Sequence, residues 1–97
     1  MTPRELRFTE EAEKDLLRLY QFLLAADLQP AERALKQIRR GLLAASEFPF
    51  SCRRAAKGAV RECVIPFGRA GYVAAFEIGE DHVLILAGRH QREDDFY

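Results

Sequence analysis

The chain of 97 residues has no net charge, few cysteines and histidines, and no apolar run long enough to cross a membrane. Fifteen basic side chains balance fifteen acidic ones. General binders of nucleic acid or anionic membranes usually carry a clear positive excess, so this class is disfavoured. The N-terminal residues lack the apolar region of a signal peptide, so we expect a cytoplasmic protein. A chain this short has room for one core, which predicts a single domain over residues 1–97.

The scarcity of cysteine and histidine also limits cofactor chemistry. Cys52 and Cys63 have no CxxC or histidine companions and do not supply the four ligands of a zinc site, so we expect no metal and no cofactor. Two free thiols are expected, with a disulfide as the alternative. His82, beside Asp81, is interpreted as a surface turn residue. Motifs of serine hydrolases, phosphate-binding loops and zinc proteases are absent from the sequence.

The zero net charge conceals three unequal segments. Residues 1–32 hold four basic and seven acidic side chains. Residues 33–69 hold nine basic and two acidic side chains, and residues 70–97 hold two basic and six acidic side chains. Twelve of the basic side chains are arginine, whose planar fork suits bidentate contacts with carboxylates and phosphates. A GC-rich genome favours arginine codons as well, so the count alone does not indicate a ligand.

The first half of the sequence predicts a strand followed by two helices. Residues 4–8 alternate polar and apolar side chains, which is typical of a short strand. Thr9 suits the N-cap of a helix that ends near Ala26, and the glutamates after it suit the positive end of the helix dipole. The apolar residues of this helix recur at spacings of three and four: Ala12, Leu16, Leu19, Tyr20, Leu23 and Leu24.

The second helix is predicted to begin at Pro30 and to form an antiparallel hairpin with the first. Its apolar stripe consists of Ala31, Ala34, Leu35, Ile38, Leu42 and Ala45. Gly41 inside this helix costs roughly 1 kcal/mol relative to alanine, which indicates a close packing contact at that position.

The second half of the sequence predicts strands. Residues 52–58 form a basic, irregular connection, and residues 60–67, 71–78 and 82–88 form an antiparallel meander joined by short loops with glycine. Pro66 has no N–H to donate and is expected near a strand end or sheet edge. The predicted fold class is α+β, with an N-terminal strand and a helical hairpin packed on a three- to four-stranded antiparallel sheet. The other face of the sheet is left open to water or a partner.

A candidate site combines the two outer strands of the meander. We expect Arg61 on the first strand to lie across the sheet from Arg89, His90 and Arg92 at the end of the last strand. These groups could clamp a phosphate while His90 or Tyr97 transfers a proton, as metal-independent RNA cleavage requires. The alternative is that the arginines form exposed ion pairs with nearby carboxylates, which contribute little stability. An isolated histidine after a strand is also more often solvated than catalytic.

Several segments follow one another in a distinctive order: residues 6–16 (LRFTEEAEKDL), Phe48-Pro49, residues 60–67 (VRECVIPF), residues 71–78 (GYVAAFEI) and residues 83–94 (VLILAGRHQRED). Together they resemble the RelE/ParE superfamily of bacterial type II toxins, and within it the ParE branch. The resemblance covers nearly the whole chain. It implies a RelE-like fold and a toxin without enzymatic activity that blocks replication by inhibiting DNA gyrase, with growth arrest as the result.

The resemblance also implies a ParD-like antitoxin partner whose flexible segment wraps over the helical hairpin and the sheet. The alternative is a RelE-like, ribosome-dependent mRNA endonuclease using Arg61, His90 and Tyr97. The neutral chain and its acidic last segment favour the ParE branch, because ribosome binding profits from positive charge. A third hypothesis is that the chain is a toxin homologue that binds an antitoxin but has lost its target.

Two sets of binding residues follow from these considerations. The implied target-binding residues are Arg61, Arg89, His90, Arg92, Phe96 and Tyr97. The expected antitoxin-binding residues are Tyr20, Leu24, Leu35, Arg53, Arg54 and Lys57. Phe96 and Tyr97 could equally dock on the protein's own core, although aromatic and arginine side chains are enriched at binding hot spots. Neither a membrane nor a specific nucleic-acid sequence is expected as a partner.

Overall fold

Two helices cover one face of a five-stranded sheet in the computed structural model of the chain, which describes residues 4–26, 28–55, 58–68 and 70–91. The elements in chain order are β1 (Glu5–Phe8), α1 (Glu10–Ala26), α2 (Leu28–Glu47), a 3₁₀ turn (Pro49–Ser51), β2 (Arg53–Arg54), β3 (Arg61–Phe67), β4 (Ala70–Ile78) and β5 (His82–His90). The predicted α+β class with a helical hairpin on a sheet is confirmed. None of the helices in these ranges is both long and apolar enough to span a membrane.

Helix α1 begins where the sequence predicts. The Oγ1 atom of Thr9 accepts a hydrogen bond from the backbone N–H of Ala12 at 3.0 Å, so Thr9 is the N-cap. Helix α2 begins at Leu28, and the prediction that Pro30 is its first residue is therefore wrong. Because the N–H groups of the first helical turn have no acceptor within the helix, proline fits at the third position as well.

The core lies between the helices and the helix-facing side of the sheet. The residues of α2 at 31, 34, 38, 42 and 45 are all buried, as the apolar spacing predicts. The last four of them pack with Ala12 and Leu19 of α1 against side chains of the sheet that include Ile65, Phe76 and Ile85. Leu24 and Leu35, predicted in the apolar stripes, remain 38% and 44% exposed because each lies at the margin of its stripe, away from the sheet.

The strand order of the sheet is β1-β5-β4-β3-β2. The predicted antiparallel meander of β3, β4 and β5 is confirmed, and Pro66 lies at the end of β3 opposite Gly71. The sheet differs from the expectation in two ways: β1 pairs parallel to β5, and the two-residue β2 extends the sheet beside β3. Parallel pairing requires a long connection, and both helices and strands β2 to β4 separate β1 from β5. A two-residue strand is too short to produce a periodic pattern.

A β-bulge in β5 is held by the side chains of Asp15 on α1 and of its N-cap Thr9. Ala87 pairs with Ala75 whereas Ile85 pairs with Phe76, so Leu86 is the extra residue. Beyond Ile85, β5 has no β1 partner, and α1 supplies hydrogen bonds in its place. The Leu86 carbonyl accepts from Thr9 Oγ1 at 3.1 Å, and the Gly88 N–H donates to Asp15 Oδ2 at 3.0 Å. The hairpin is therefore anchored to the final strand by polar bonds as well as apolar packing.

Candidate functional site

The residues of the predicted site lie in two separate rows of the sheet. Arg61 pairs with Phe76, which pairs with Ile85, whereas His90 pairs with Tyr72, which pairs with Ile65. Four residues along β3 separate the two rows, about 13 Å at the rise of a strand. The expectation that Arg61 lies across the sheet from the end of β5 is therefore wrong, because the register places Arg61 in the row of Ile85, near the middle of that strand.

The end of β5 presents its side chains to both faces of the sheet. The ring of His90 contacts Tyr72 edge-on, with 5.4 Å between centroids and an interplanar angle of 87°. Burial raises the pKa of the Tyr72 hydroxyl. Because side chains alternate along a strand, that of Arg89 lies on the face away from the helices. Its Nη1 donates to the His90 carbonyl at 3.3 Å. Three further predicted target-binding residues, Arg92, Phe96 and Tyr97, lie outside the described residues.

Arg61 is held by the turn that precedes β2. Its Nη1 donates to the carbonyl oxygen of Cys52 at 2.8 Å and to that of Phe50 at 3.5 Å. Its guanidinium carbon lies 5.2 Å from the centroid of the Phe50 ring, a cation–π distance. Arg4 approaches the same ring at 5.6 Å and donates from Nε to the Gly79 carbonyl at 3.1 Å. The two guanidinium groups are thus positioned by neutral acceptors and one exposed aromatic ring.

Arg54 adds a third positive charge beside them. It is the cross-strand partner of Arg61, so two like charges face each other across the β2–β3 ladder. Within the described parts of the chain, no carboxylate lies within 4.0 Å of the side chains of Arg4, Arg54 or Arg61, whereas Arg53 pairs with Glu62 at 3.1 Å. We call Phe50, the two arginines Arg4 and Arg61 that approach its ring, and Arg54, the cross-strand partner of Arg61, the arginine cluster. Guanidinium groups that have no carboxylate partner among the described residues are suited to contact an acidic partner surface.

The sequence interpretation missed Arg4 and Phe50 as members of this cluster. Arg4 is 57 positions from Arg61, and no local pattern relates residues so far apart. The available signal was Phe48-Pro49-Phe50, in which two large aromatic side chains flank a turn-forming proline. Both phenylalanines are more than 60% exposed in the structure, so their side chains are not part of the core.

A groove of about 410 Å³ lies next to the arginine cluster. Its walls include Ala44 and Ala45 of α2, Phe48, Cys52, Cys63 and Val64. Arg53 and Glu62 also line the groove, so a largely apolar surface carries one ion pair. Arg53 and Arg54, predicted to bind an antitoxin, are exposed beside this groove, and Lys57 lies outside the described residues.

The helical hairpin carries a second exposed apolar surface. Leu24 and Leu35, two of the residues expected to bind an antitoxin, are partly exposed on it, and Tyr20 is half-buried. Phe22, which the sequence interpretation assigned to no face, is 79% exposed. Across the described ranges, cysteine, histidine and acidic side chains form no group of three or more that could hold a metal ion.

Residues 6–95 match the family model described as the ParE toxin of the type II toxin-antitoxin system parDE. The chain belongs to this family. The match spans nearly the whole sequence and confirms the resemblance to the ParE branch. No curated protein matches the sequence significantly.

Solved structures agree with the fold of this ParE-family toxin. The structure described as a chromosomal ParDE toxin-antitoxin system from P. aeruginosa has a TM-score of 0.74 and 19% identity, covering 90% of this chain and 95% of that chain. The toxin-antitoxin complex RelBE2 from Mycobacterium tuberculosis has a TM-score of 0.61 and 23% identity. The match covers 96% of this chain and 97% of that chain. At these identities the similarity establishes that the toxin shares their fold.

Proposed function

We propose that this ParE-family toxin inhibits DNA gyrase by binding it, without catalysing a reaction, and that a ParD-like antitoxin neutralises the toxin in a hetero-oligomer. The observation that carries the proposal is the match of residues 6–95 to the ParE toxin family. The ParDE system among the similar structures supports the same pairing of toxin and antitoxin.

The sheet register supports binding rather than RNA cleavage. A general acid or base must come within hydrogen-bond reach of the atoms that a phosphate-binding arginine stabilises. Arg61 lies about 13 Å along the sheet from the row of His90, by the rise of a strand. Arg61 is also engaged with the Cys52 carbonyl and the Phe50 ring. The proposed target-binding residues are Arg61, Arg89, His90, Arg92, Phe96 and Tyr97.

The antitoxin is proposed to bind the exposed hairpin surface and the basic β2 segment. The hairpin offers Leu24 and Leu35 to an apolar partner face, and β2 offers Arg54 to acidic side chains. Residues 33–69 hold nine basic and two acidic side chains, so an acidic segment that folds on binding gains favourable electrostatics there. The full proposed set is Tyr20, Leu24, Leu35, Arg53, Arg54 and Lys57.

Two assays on the purified toxin test the proposed target. Supercoiling of relaxed plasmid by gyrase should fall as the toxin is added, while mRNA on translating ribosomes should stay intact. Arg89→Ala should weaken the inhibition, whereas Arg7→Ala, on the neighbouring strand β1 in the row of Leu84 and so several residues along β5 from Arg89, should leave it unchanged. Cleavage of mRNA with gyrase unaffected would replace the proposal by the endonuclease alternative.

A binding measurement tests the antitoxin surface separately. The partner is the product of a small reading frame adjacent to the toxin gene. Leu24→Asp should raise the Kd for this antitoxin at least about tenfold, since it places a charge in an apolar contact. Gln21→Asp adds the same charge to α1 without removing an apolar side chain and should have a smaller effect. Equal effects of the two variants would contradict an apolar contact at Leu24.

A further inference from the structure

Cys52 and Cys63 occupy opposing positions at the end of the β2–β3 ladder. Arg53 pairs with Glu62 and Arg54 with Arg61, so the next pair in this register is Cys52 with Cys63. Cys52 has the extended backbone angles φ −81° and ψ 152°, which continue the direction of β2. Cross-strand partners direct their side chains to the same face of a sheet. The two thiols therefore meet on the helix-facing side.

The hydrogen-bond pattern identifies the kind of pair that the cysteines form. The N–H of Ala55 donates to the Val60 carbonyl at 2.9 Å, which marks these residues as a hydrogen-bonded pair. Pairs alternate along an antiparallel ladder, so Cys52 and Cys63 form a non-hydrogen-bonded pair. Consistently, the Cys52 N–H donates to Pro49 and its carbonyl accepts from Arg61. Such pairs have Cα atoms about 4.5 Å apart, within the range of about 4.4–6.8 Å found in disulfides.

The two cysteines differ in access to solvent. Cys63 is 8% exposed and its Sγ contacts the Gly41 carbonyl oxygen at 3.7 Å. Cys52 is half-buried, packs against the same core, and lines the groove together with Cys63. Burial, followed by the charge of a neighbouring Cys52 thiolate, raises the pKa of Cys63 to about 12. Both are free thiols, and Cys52 is the one that a small reagent in the groove reaches first.

We propose that Cys52 and Cys63 form a disulfide site that is oxidised by small-molecule disulfides such as oxidised glutathione. The Cys52 thiolate attacks one sulfur of the reagent, whose S–S bond breaks and releases one thiolate. The Cys63 sulfur, on losing its proton, then attacks the Cys52 sulfur of the mixed disulfide and releases the second thiolate. One protein disulfide and two small thiols result, so two electrons pass to the reagent and both protons end on its thiols.

The bond would tie the turn before β2 directly to β3. This turn carries Phe50, and β3 carries Arg61, so oxidation links the segments that hold these two members of the arginine cluster covalently. Closing the loop of residues 53–62 also restricts the unfolded chain, which favours the folded state. The site does not depend on the identity of the toxin's target, because it uses only the β2–β3 edge and the groove beside it.

Mass spectrometry of the full chain after incubation with oxidised glutathione tests the proposal. The folded wild-type protein should lose the mass of two hydrogen atoms, lose both thiols by titration, and carry no glutathione. Cys63→Ser should stop at a mixed disulfide on Cys52. Cys52→Ser should leave Cys63 unmodified in native buffer and modified in urea, because only burial protects it. Circular dichroism checks that each variant remains folded.

Each alternative product would overturn a defined part of the proposal. A wild-type protein that retains glutathione on Cys52, or that forms disulfide-linked dimers, would show that Cys63 does not reach Cys52. Wild-type thiols that stay unmodified would show that the groove does not admit the reagent. A disulfide that forms equally well in urea, measured by the equilibrium constant against glutathione, would show that the fold does not bring the cysteines together.

Discussion

Gly41 on α2 and Ile65 on β3 lie so close together that the glycine position has no room for a side chain. An ideal Cβ atom at Gly41 would lie 2.5 Å from Cγ1 and 2.8 Å from Cδ1 of Ile65. Ile65 is 2% exposed, so its side chain has no solvent to move into. This contact sets the distance between the second helix and the strand that carries both Arg61 and Cys63.

Gly41→Ala should therefore destabilise the protein although alanine is the better helix former. Alanine gains about 1 kcal/mol of helix propensity, and overpacking of a core costs about 1–3 kcal/mol. We expect a net loss of roughly 1 kcal/mol in the free energy of unfolding, measured in urea. The loss should shrink in an Ile65→Val background, where Cδ1 is absent. A more stable Gly41→Ala protein would show that the helix can move away from β3.

Asp15 is expected to stabilise the bulge of β5. Its Oδ2 accepts from the N–H of the buried Gly88, which lies beyond the end of β1. Asp15→Ala leaves this N–H without that acceptor and should cost about 1–3 kcal/mol in thermal or urea unfolding. Asp15→Asn keeps an acceptor oxygen and should cost less. Equal losses for the two variants would indicate that the carboxylate charge, rather than the hydrogen bond, is what matters.

Replacing each of the two neighbouring arginines on β2 with glutamate should change the free energy of unfolding in opposite directions. Arg54→Glu replaces a like-charge pair with Arg61 by an opposite-charge pair and should raise the free energy of unfolding by about 0.2–1 kcal/mol. Arg53→Glu breaks the exposed ion pair with Glu62 and should lower the free energy of unfolding by up to about 1 kcal/mol. Urea unfolding at low ionic strength gives both values, and added salt should reduce both effects. A loss of stability in Arg54→Glu would mean that the two arginines do not repel each other.

Alkaline pH should destabilise the protein through Cys63. The unfolded thiol ionises near its ordinary pKa of 9.0, whereas burial raises the folded pKa to about 12. The unfolded state therefore releases its proton first, and the stability that is present below the lower pKa falls as the pH rises toward the higher one. Urea unfolding under a reducing agent at pH 8 and at about pH 10 measures the slope.

Cys63→Ala serves as the control for this pH dependence. Its unfolding free energy should fall less steeply with alkaline pH than that of the wild type, whatever the absolute stability of the variant. Tyr72 adds a contribution of the same sign, since burial raises its pKa as well. Identical slopes for wild type and variant would show that Cys63 ionises as easily in the folded protein as in the unfolded one.

Much of the architecture could be predicted because its signals are local. Thr9 caps α1 through its own side chain, the apolar spacing of α2 selects the buried face, and glycine in a helix indicates a close contact. The three meander strands follow from short apolar runs between glycine-containing turns. These features depend on residues within a few positions of each other, which is the range over which backbone propensity and side-chain periodicity act.

Strand partners and register depend on distant residues, and they decide what the candidate site contains. Alternation assigns a side chain to a face of the sheet but does not say which row of the neighbouring strand it joins. A local pattern therefore suggested that Arg61 would meet His90, whereas the pairing of β3 with β4 and β5 separates them.

The sequence by itself determined the order of the two helices and of the strands β1, β3, β4 and β5, the buried face of α2 and membership of the ParE toxin family. The tertiary structure alone decided that β1 joins β5 in parallel, that Arg4 meets Arg61 across Phe50, and that Cys52 faces Cys63. The reason is physical: these contacts are between side chains and strands that only long-range hydrogen bonding and packing bring together, and local propensities carry no information about such pairs.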